Sequence, residues 1–374
     1  MIPPGVYERS VRRFLDPVGE YLDDPSVTEI MVNGFDTIFI ERKGRISKAS
    51  RGFPSERALV AALLNIAQFV GRPLDEHHPI LEGRLPDGSR LEAIIPPASP
   101  SGPSVAIRRF SKEKLTVDRL LEFGALTDEA AEFLSIVVEA AKNVIVAGGT
   151  GSGKTSTLNA LSSFIPDGER VIVIEDAREL QLQKEHVVQL EARPPDPKGK
   201  GQVTIRDLFK ATLRMRPDRI VVGEIRSGEA LDLIQAMTSG HGGCMSTVHA
   251  TYPRDVLSRL ETMAMMANIE LPLSALRSQI GSAIEIIVQT ARLRDGKRCV
   301  THITEVVGCD QAGNYQLQDL FRRTYGQVDS RGNLPSVFRP TGVVPHCVES
   351  LLGLGRPLPK AMLAPAPAGR SYDV

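Results

Sequence analysis

A glycine-rich segment in the middle of the chain has residue types and spacing suited to holding phosphate groups. Residues 148–155 read GGTGSGKT and fit the pattern G-x-x-x-x-G-K-[ST]. Glycines let successive backbone N–H groups turn toward an anion without a Cβ clash, while a lysine amine and a threonine hydroxyl serve phosphate and Mg²⁺. The predicted nucleotide-binding residues of this loop are Gly148, Gly149, Thr150, Gly151, Ser152, Gly153, Lys154, Thr155 and Ser156.

The neighbours of this segment help to distinguish a phosphate-binding loop from a chance glycine-rich turn. An apolar strand pattern, NVIVAG, precedes it, and a helical pattern from about residue 154 to 164 follows it. The start of a helix adds the positive end of its dipole to a bound anion. The context therefore favours a site for ATP or ADP with Mg²⁺, in which Lys154 reaches the β- and γ-phosphates and Thr155 ligates the metal.

Acidic and histidine side chains stand at the ends of three further apolar strand patterns. Glu175 ends VIVIE, Glu224 follows RIVVG, and His249 ends STVH. The carboxyl ends of parallel strands share one edge of a sheet, so we expect these side chains beside the nucleotide. For each residue taken alone, a solvated strand end or a structural histidine is the alternative. Together with the phosphate loop the pattern favours function, with Glu224 helping to hold Mg²⁺.

Two regions with different patterns must position these residues. Before residue 97, helical spacing at 10–22 and 56–70 is interspersed with short strands and glycine turns, which predicts an α+β module. The segment PPASPSGPS (96–104) is rich in proline and serine and indicates a break. From about residue 113, alternating helices and apolar strands predict a parallel sheet covered on both faces.

The predicted fold class is therefore α/β with two domains. The N-terminal α+β domain occupies 1–97, a linker or hinge 98–112, and the nucleotide-binding domain 113–308. The segment SVAIRRF within the linker is predicted to be a short basic strand, and CMSTVHA is predicted to complete the parallel sheet. Residues 309–374 form a C-terminal extension whose Pro-rich tail is expected to be partly disordered.

Composition limits the classes of function. Lys+Arg and Asp+Glu both count 45 among 374 residues, which argues against a dedicated nucleic-acid-binding protein. The cysteines are scattered without a CxxC pair, so neither a disulfide scaffold nor a zinc site is expected. No signal peptide is recognisable, and no apolar run approaches the roughly 18 residues that span a bilayer. A cytoplasmic protein is the resulting expectation.

Four segments of the chain resemble the signature elements of the type II/IV secretion ATPases. These segments are GGTGSGKT, IEDAREL, LFKATLRMRPDRIVVGEIRSGEALDLIQAMTSGHGG and STVHATYPRDVLSRLETM. They look like the phosphate loop, the acidic "Asp box", the atypical Walker B segment and the "His box". The segments RLPDGSRLEAIIPP, SVAIRRF and QLEARPPDPKGKGQVTIRDLFKATLRMRPDRI look most like the CpaF/TadA branch, which assembles Flp pili. The resemblance covers about residues 10–308.

This resemblance implies a fold and roles for single residues. The fold would be a PAS-like N-terminal domain, a hinge and a RecA-like ATPase domain, assembled as a homo-hexamer at an inner-membrane platform on the cytoplasmic face. Glu175 would be the base that orients the attacking water, and His249 would sense the γ-phosphate. The four-cysteine zinc insertion of the general secretion branch has no counterpart in this sequence.

The resemblance further implies that arginines reach the nucleotide from the N-terminal side and from neighbouring subunits. A guanidinium suits this task because negative charge builds on the phosphoryl oxygens during transfer. A surface salt bridge is the alternative for each. The candidates are Arg108, Arg109, Arg178, Arg193 and Arg214.

Two other functions compete with a pilus-assembly ATPase. One is a conjugation or type IV secretion ATPase of the VirB11/TrbB type, which has the same core motifs. The other is a non-enzymatic scaffold gated by nucleotide, whose expected signature is loss of the acidic residues with the phosphate loop kept. Glu175, Glu224 and His249 are all present, which favours the enzyme.

Overall fold

A computed structural model describes residues 4–42, 44–109, 115–196, 198–293, 295–327 and 335–363. These residues fall into two compact units. One lies within Met1–Glu113 and Pro195–Lys200, and the other within Lys114–Pro194 and Gly201–Val374.

The N-terminal unit is an antiparallel sheet with three helices. Its helices are α1 (Pro4–Phe14), α2 (Asp16–Asp23) and α3 (Glu56–Val70). Its strands are β1 (Val27–Asn33), β2 (Ile38–Arg42), β3 (Arg45–Lys48), β4 (Ile80–Arg84), β5 (Arg90–Ile94) and β6 (Ser104–Arg108). The strand order is β3-β2-β1-β6-β5-β4, and every neighbouring pair is antiparallel. The apolar face of α3 buries Leu59, Leu63 and Ile66 in the core of this unit.

Strand β6 differs from the sequence-based expectation. The prediction placed residues 98–112 in a linker, but β6 lies inside the N-terminal sheet, between β1 and β5. Its side chains alternate, with Val105 and Ile107 buried in the core. The Pro-rich stretch before it is a connection between two strands of one sheet, so the composition of that stretch wrongly suggested a domain boundary.

The second unit is built on a nine-stranded sheet. Its helices are α4 (Val117–Glu122), α5 (Asp128–Glu139), α6 (Lys154–Leu161), α7 (Ile205–Thr212), α8 (Glu229–Thr238), α9 (Pro253–Met265), α10 (Leu273–Ala283) and α11 (Val348–Leu352). Its strands are β7 (Val144–Gly148), β8 (Val171–Glu175), β9 (Val187–Glu191), β10 (Arg219–Val222), β11 (Met245–His249), β12 (Ile286–Arg292), β13 (Arg298–Cys309), β14 (Tyr315–Tyr325) and β15 (Ser336–Pro340). Short 3₁₀ turns cover Ser162–Phe164 and Lys360–Leu363.

The centre of this sheet is parallel and buried on both faces. Strands β12, β7, β11, β10, β8 and β9 lie side by side in that order, and all run in parallel. Every residue of β7, β8 and β10 is buried, as apolar runs covered by helices require. One apolar cluster includes α4, α5 and α6, and the other includes α7 to α10. This architecture confirms the predicted α/β class, with an antiparallel N-terminal sheet and a larger C-terminal sheet.

The sequence predicted that the strand CMSTVHA, which contains β11, completes the parallel sheet, but the sheet continues beyond it. Strand β12 pairs in parallel with β7, and β13, β14 and β15 then extend the sheet as antiparallel strands. Part of the predicted C-terminal extension therefore belongs to the main sheet, because Leu320, Phe321 and Phe338 complete its apolar cluster. The tail predicted to be disordered includes 364–374, which lie outside the described residues. No helix among the described residues is long and apolar enough to cross a membrane.

Candidate functional site

The ends of the parallel strands bring the predicted residues to one edge of the sheet. Gly148, at the end of β7, pairs with His249 on one side and with Thr290 on the other. Strand β10 lies between β11 and β8, so Glu224 follows it between His249 and Glu175. The sequence predicted this common edge, which is where doubly wound sheets bind their ligands.

The phosphate loop requires glycine at positions that the structure identifies. A Cβ atom at Gly148 would lie 2.3 Å from both Ser152 Oγ and Thr290 Oγ1, which leaves no room for a side chain. Gly151 and Gly153 have φ angles of +69° and +97°, in the left-handed region that favours glycine. Helix α6 begins directly after this loop, so its N-terminal N–H groups contribute to the same site.

Lys154 is buried at the start of α6 and faces the neighbouring strand end. Its Nζ donates to the Gly149 carbonyl at 3.0 Å and lies 3.3 Å from both ring nitrogens of His249. Burial and the charge of Lys154 lower the pKa of His249 below its ordinary value. A neutral imidazole is thus the favoured form near neutral pH.

Glu224 joins the same group of charges. Its Oε2 accepts from Arg226 Nε at 2.7 Å, and Arg226 Nη1 lies 3.5 Å from Asp176 Oδ2. Its Oε1 is buried and receives no aligned hydrogen bond from any described residue, although His249 Nε2 is 2.8 Å away. That carboxylate oxygen has capacity for a further donor or a cation.

Glu175 is held firmly at the end of β8. It is 4% exposed, and its Oε1 accepts from the backbone N–H groups of Glu179 and Leu180 at 2.9 and 3.0 Å. A Cβ atom at Gly223 would lie 2.8 Å from Glu175 Cγ, so the glycine before Glu224 makes room for Glu175. The side chain of Glu175 therefore packs against Gly223, the residue immediately before Glu224.

The chemistry of these residues fits Mg²⁺ bound together with nucleotide. No group of three or more His, Cys, Asp or Glu side chains in the described part of the chain could hold a metal ion by itself. Mg²⁺ in such sites uses few protein ligands and takes the rest from phosphate oxygens and water. Thr155, half-buried in the first turn of α6, and the Oε1 atom of Glu224 are suitable groups.

The five candidate arginines have different surroundings. Arg178 and Arg214 are exposed, the latter just after α7. Arg193 Nε donates to the Gly201 carbonyl at 2.6 Å. In the N-terminal unit, Arg108 is exposed on β6, whereas Arg109 donates to the carbonyl oxygens of Asp24 and Val27. Arg109 thus has a structural role within its own unit, and a nucleotide contact stays a prediction for all five.

Sequence reasoning missed four residues at this edge. Arg226 bridges Glu224 and Asp176. Gln289 and Thr290 end the buried part of β12, where two polar residues after IIV could have signalled the site. Arg292 Nη1 would lie 3.6 Å from a Cβ atom on Gly151, beside the phosphate loop. Nothing in the local pattern around Arg292 distinguishes it from a surface arginine.

Comparison with known proteins places the chain in a family. Residues 13–325 match the family described as type II/IV secretion system protein. A putative conjugal transfer protein of Mycobacterium tuberculosis is 32% identical over 325 residues, covering 85% of this chain and 91% of the relative. The conjugal transfer protein TrbB of Rhizobium radiobacter is 34% identical over 308 residues, covering 79% and 91%.

A solved structure supports the same fold. The ATPase DotB of Legionella pneumophila superposes with a TM-score of 0.54 at 18% identity, covering 81% of this chain and 82% of that one. At this identity the likeness shows the fold alone, and the fold agrees with the expected RecA-like domain. The relatives do not support the CpaF/TadA branch specifically, because their names are those of conjugal transfer proteins. The phosphate loop, the acidic strand ends and His249 all lie within the matched residues, and the chain belongs to the type II/IV secretion system protein family.

Proposed function

We propose that this protein hydrolyses ATP with Mg²⁺ and that hydrolysis drives a secretion machine of the conjugal or type IV kind. The proposal rests on the contacts at the phosphate loop, where Lys154 Nζ lies beside the ring of His249 and His249 lies beside Glu224. The relatives are named as a putative conjugal transfer protein and a conjugal transfer protein, which favours this function over assembly of a Flp pilus.

In this proposal each residue has a defined task. Lys154 binds the β- and γ-phosphates, Thr155 ligates Mg²⁺, and Glu224 holds the metal partly through water. Glu175 is the base that orients water for attack on the γ-phosphate, and His249 senses that phosphate. Arg178, Arg193 and Arg214 are proposed to stabilise the developing charge, and Arg108 and Arg109 to approach the nucleotide from the N-terminal unit.

The proposal extends to assembly. We expect a homo-hexamer that docks on membrane platform proteins from the cytoplasmic side, as the family resemblance implies. A ring would let arginines of one subunit complete the site of the next. The two domains would move against each other about the segment that joins them as ATP binds and is hydrolysed.

Steady-state phosphate release tests the activity directly. Lys154→Ala should lower turnover by about 100-fold or more, because the amine that neutralises the phosphates is lost. Lys210→Ala is the matched control, since Lys210 is exposed on α7 and should keep wild-type turnover.

Glu175→Gln separates binding from chemistry in the same assay. It should lower kcat about 100-fold or more while nucleotide still binds, because only the base is lost. Wild-type turnover in this variant would remove Glu175 from its proposed role. Wild-type protein that binds ATP without releasing phosphate would instead favour the nucleotide-gated scaffold.

A further inference from the structure

Two consecutive residues at the end of β12 contact different parts of the candidate site. Gln289 and Thr290 are 3% and 2% exposed, and they pair through the backbone with Ala147 and Gly148 of β7. Successive side chains of a strand point to opposite faces, so the two can reach different elements. Their contacts bear this out.

Thr290 braces the phosphate loop. Its Oγ1 donates to the Ala147 carbonyl at 2.9 Å, and because a hydroxyl has one proton, the Ser152 hydroxyl at 2.8 Å then donates to Thr290. The same oxygen occupies the space that a Cβ atom on Gly148 would need. Thr290 therefore fixes both the first glycine of the loop and a later residue, Ser152.

Gln289 braces the turn that follows His249. Its Nε2 donates to the carbonyl oxygens of Ala250 and Thr251 at 3.0 and 3.1 Å. Its Oε1 is buried and has no hydrogen-bond partner among the residues described here. A buried amide with an unsatisfied oxygen is costly, so an apolar side chain would suit mere packing better. The two hydrogen bonds that the amide donates explain why this position holds a glutamine instead of an apolar residue.

We propose that Gln289 and Thr290 are positioning residues, each for a different part of the candidate site. Thr290 sets the geometry of the phosphate loop, on which binding of any nucleotide depends. Gln289 sets the position of His249, on which recognition of the γ-phosphate depends. This inference rests on the proposed function, because it takes the ligand to be a nucleoside polyphosphate with His249 at its γ-phosphate.

Equilibrium binding of ADP and of a non-hydrolysable ATP analogue tests the Thr290 half. Thr290→Val keeps the shape but removes both hydrogen bonds, so affinity for both nucleotides should fall about tenfold. Thr290→Ser restores the hydroxyl and should bring both affinities back to within about twofold of wild type. Thr304→Val is the matched control, since Thr304 is buried on β13 and loses its bond to Asp319 Oδ1 far from the loop.

The same titrations test the Gln289 half. Gln289→Leu should lower the affinity for the ATP analogue about tenfold and leave the affinity for ADP within about twofold of wild type, because only the γ-phosphate contacts His249. Gln279→Leu is the control, because Gln279 on α10 also has a buried amide oxygen without a hydrogen-bond partner among the described residues.

The outcomes separate this inference from the proposed function. An equal loss of affinity for ADP and for the ATP analogue in Gln289→Leu would overturn this inference. Wild-type affinities in Thr290→Val would also overturn it. If the binding pattern holds while wild-type protein fails to release phosphate, the inference stands and the hydrolytic function falls. If phosphate is released and the pattern is absent, the function stands and this inference falls.

Discussion

At the scale of single residues, two contacts of Lys154 are ones that a nucleotide can replace. Lys154 Nζ donates to the Gly149 carbonyl oxygen and contacts the ring of His249. A phosphate group offers stronger, charge-assisted hydrogen bonds than either partner. Exchange of these contacts for phosphate oxygens is therefore favourable, and it frees His249 to move with the ligand.

Arg292 is the last residue of β12 and lies on the β12–β13 hairpin, beside the phosphate loop. Its guanidinium lies next to Gly151, so it adds positive charge where the phosphates are expected. Arg292→Gln should weaken ADP and ATP binding about tenfold at low salt and less at high salt, because exposed charges are screened. Arg339→Gln is the matched control, since Arg339 is exposed on β15 at the far edge of the same sheet. An affinity loss of the same size in both variants would contradict a local role for Arg292.

The residues found from sequence differ from those missed in a physical way. Lys154 and Thr155 follow from a contiguous motif, because one loop and one helix start make that part of the site. Thr290 and Arg292 enter it only because β12, more than 130 positions later, pairs with β7. Contacts of that kind depend on strand order, which local patterns do not encode.

At the scale of elements, local signals set the helix boundaries closely. Helix α3 covers the predicted 56–70, and α6 begins at the predicted residue 154, whereas the predicted segment 10–22 is divided between α1 and α2. These boundaries depend on neighbours in sequence, such as the Ser55 cap and the left-handed Gly71 of α3. The membership of β6 and of β13 to β15 in their sheets depends on pairing between strands that are far apart in sequence. The prediction from sequence did not place these strands in their sheets.

The caps of α7 and α5 offer a stability test at this scale. Thr204 Oγ1 accepts from the Asp207 N–H, and the Thr204 N–H donates to the Asp207 carboxylate. Among the described residues, the Oγ1 of Thr127 makes no such capping bond to α5. Thr204→Ala should lower the free energy of unfolding by about 1 kcal/mol, as loss of an N-cap does. Urea unfolding followed by circular dichroism measures this change.

Thr127→Ala is the matched control for that measurement. The Oγ1 of Thr127 is buried and has no partner in the part of the chain that the structure describes, so its removal deletes no hydrogen bond. We expect its free energy of unfolding to stay within about 0.5 kcal/mol of wild type or to rise. Equal destabilisation by the two substitutions would mean that methyl packing, not capping, stabilises these helix starts.

At the scale of the whole molecule, the question is whether one chain contains a complete site. The phosphate loop, both acidic strand ends, His249 and the Gln289–Thr290 brace all belong to the second unit. The proposed arginines are less concentrated, since Arg214 is exposed after α7 and Arg108 belongs to the other unit. We expect that, in a head-to-tail ring, exposed arginines of one subunit approach the phosphate loop of the next.

Mixing two inactive variants tests this division between subunits. Lys154→Ala destroys the phosphate loop, and Arg214→Gln removes the proposed trans-acting arginine, so each alone should be inactive. In mixed rings, a site that joins an intact Lys154 to a neighbour's intact Arg214 should work, which gives about a quarter of wild-type turnover at equal mixing. If Arg214 acts within its own subunit, every site carries one defect and no activity returns. Recovery of phosphate release after co-assembly therefore assigns Arg214 to the neighbouring site, and its absence from an assembled mixture assigns Arg214 to its own.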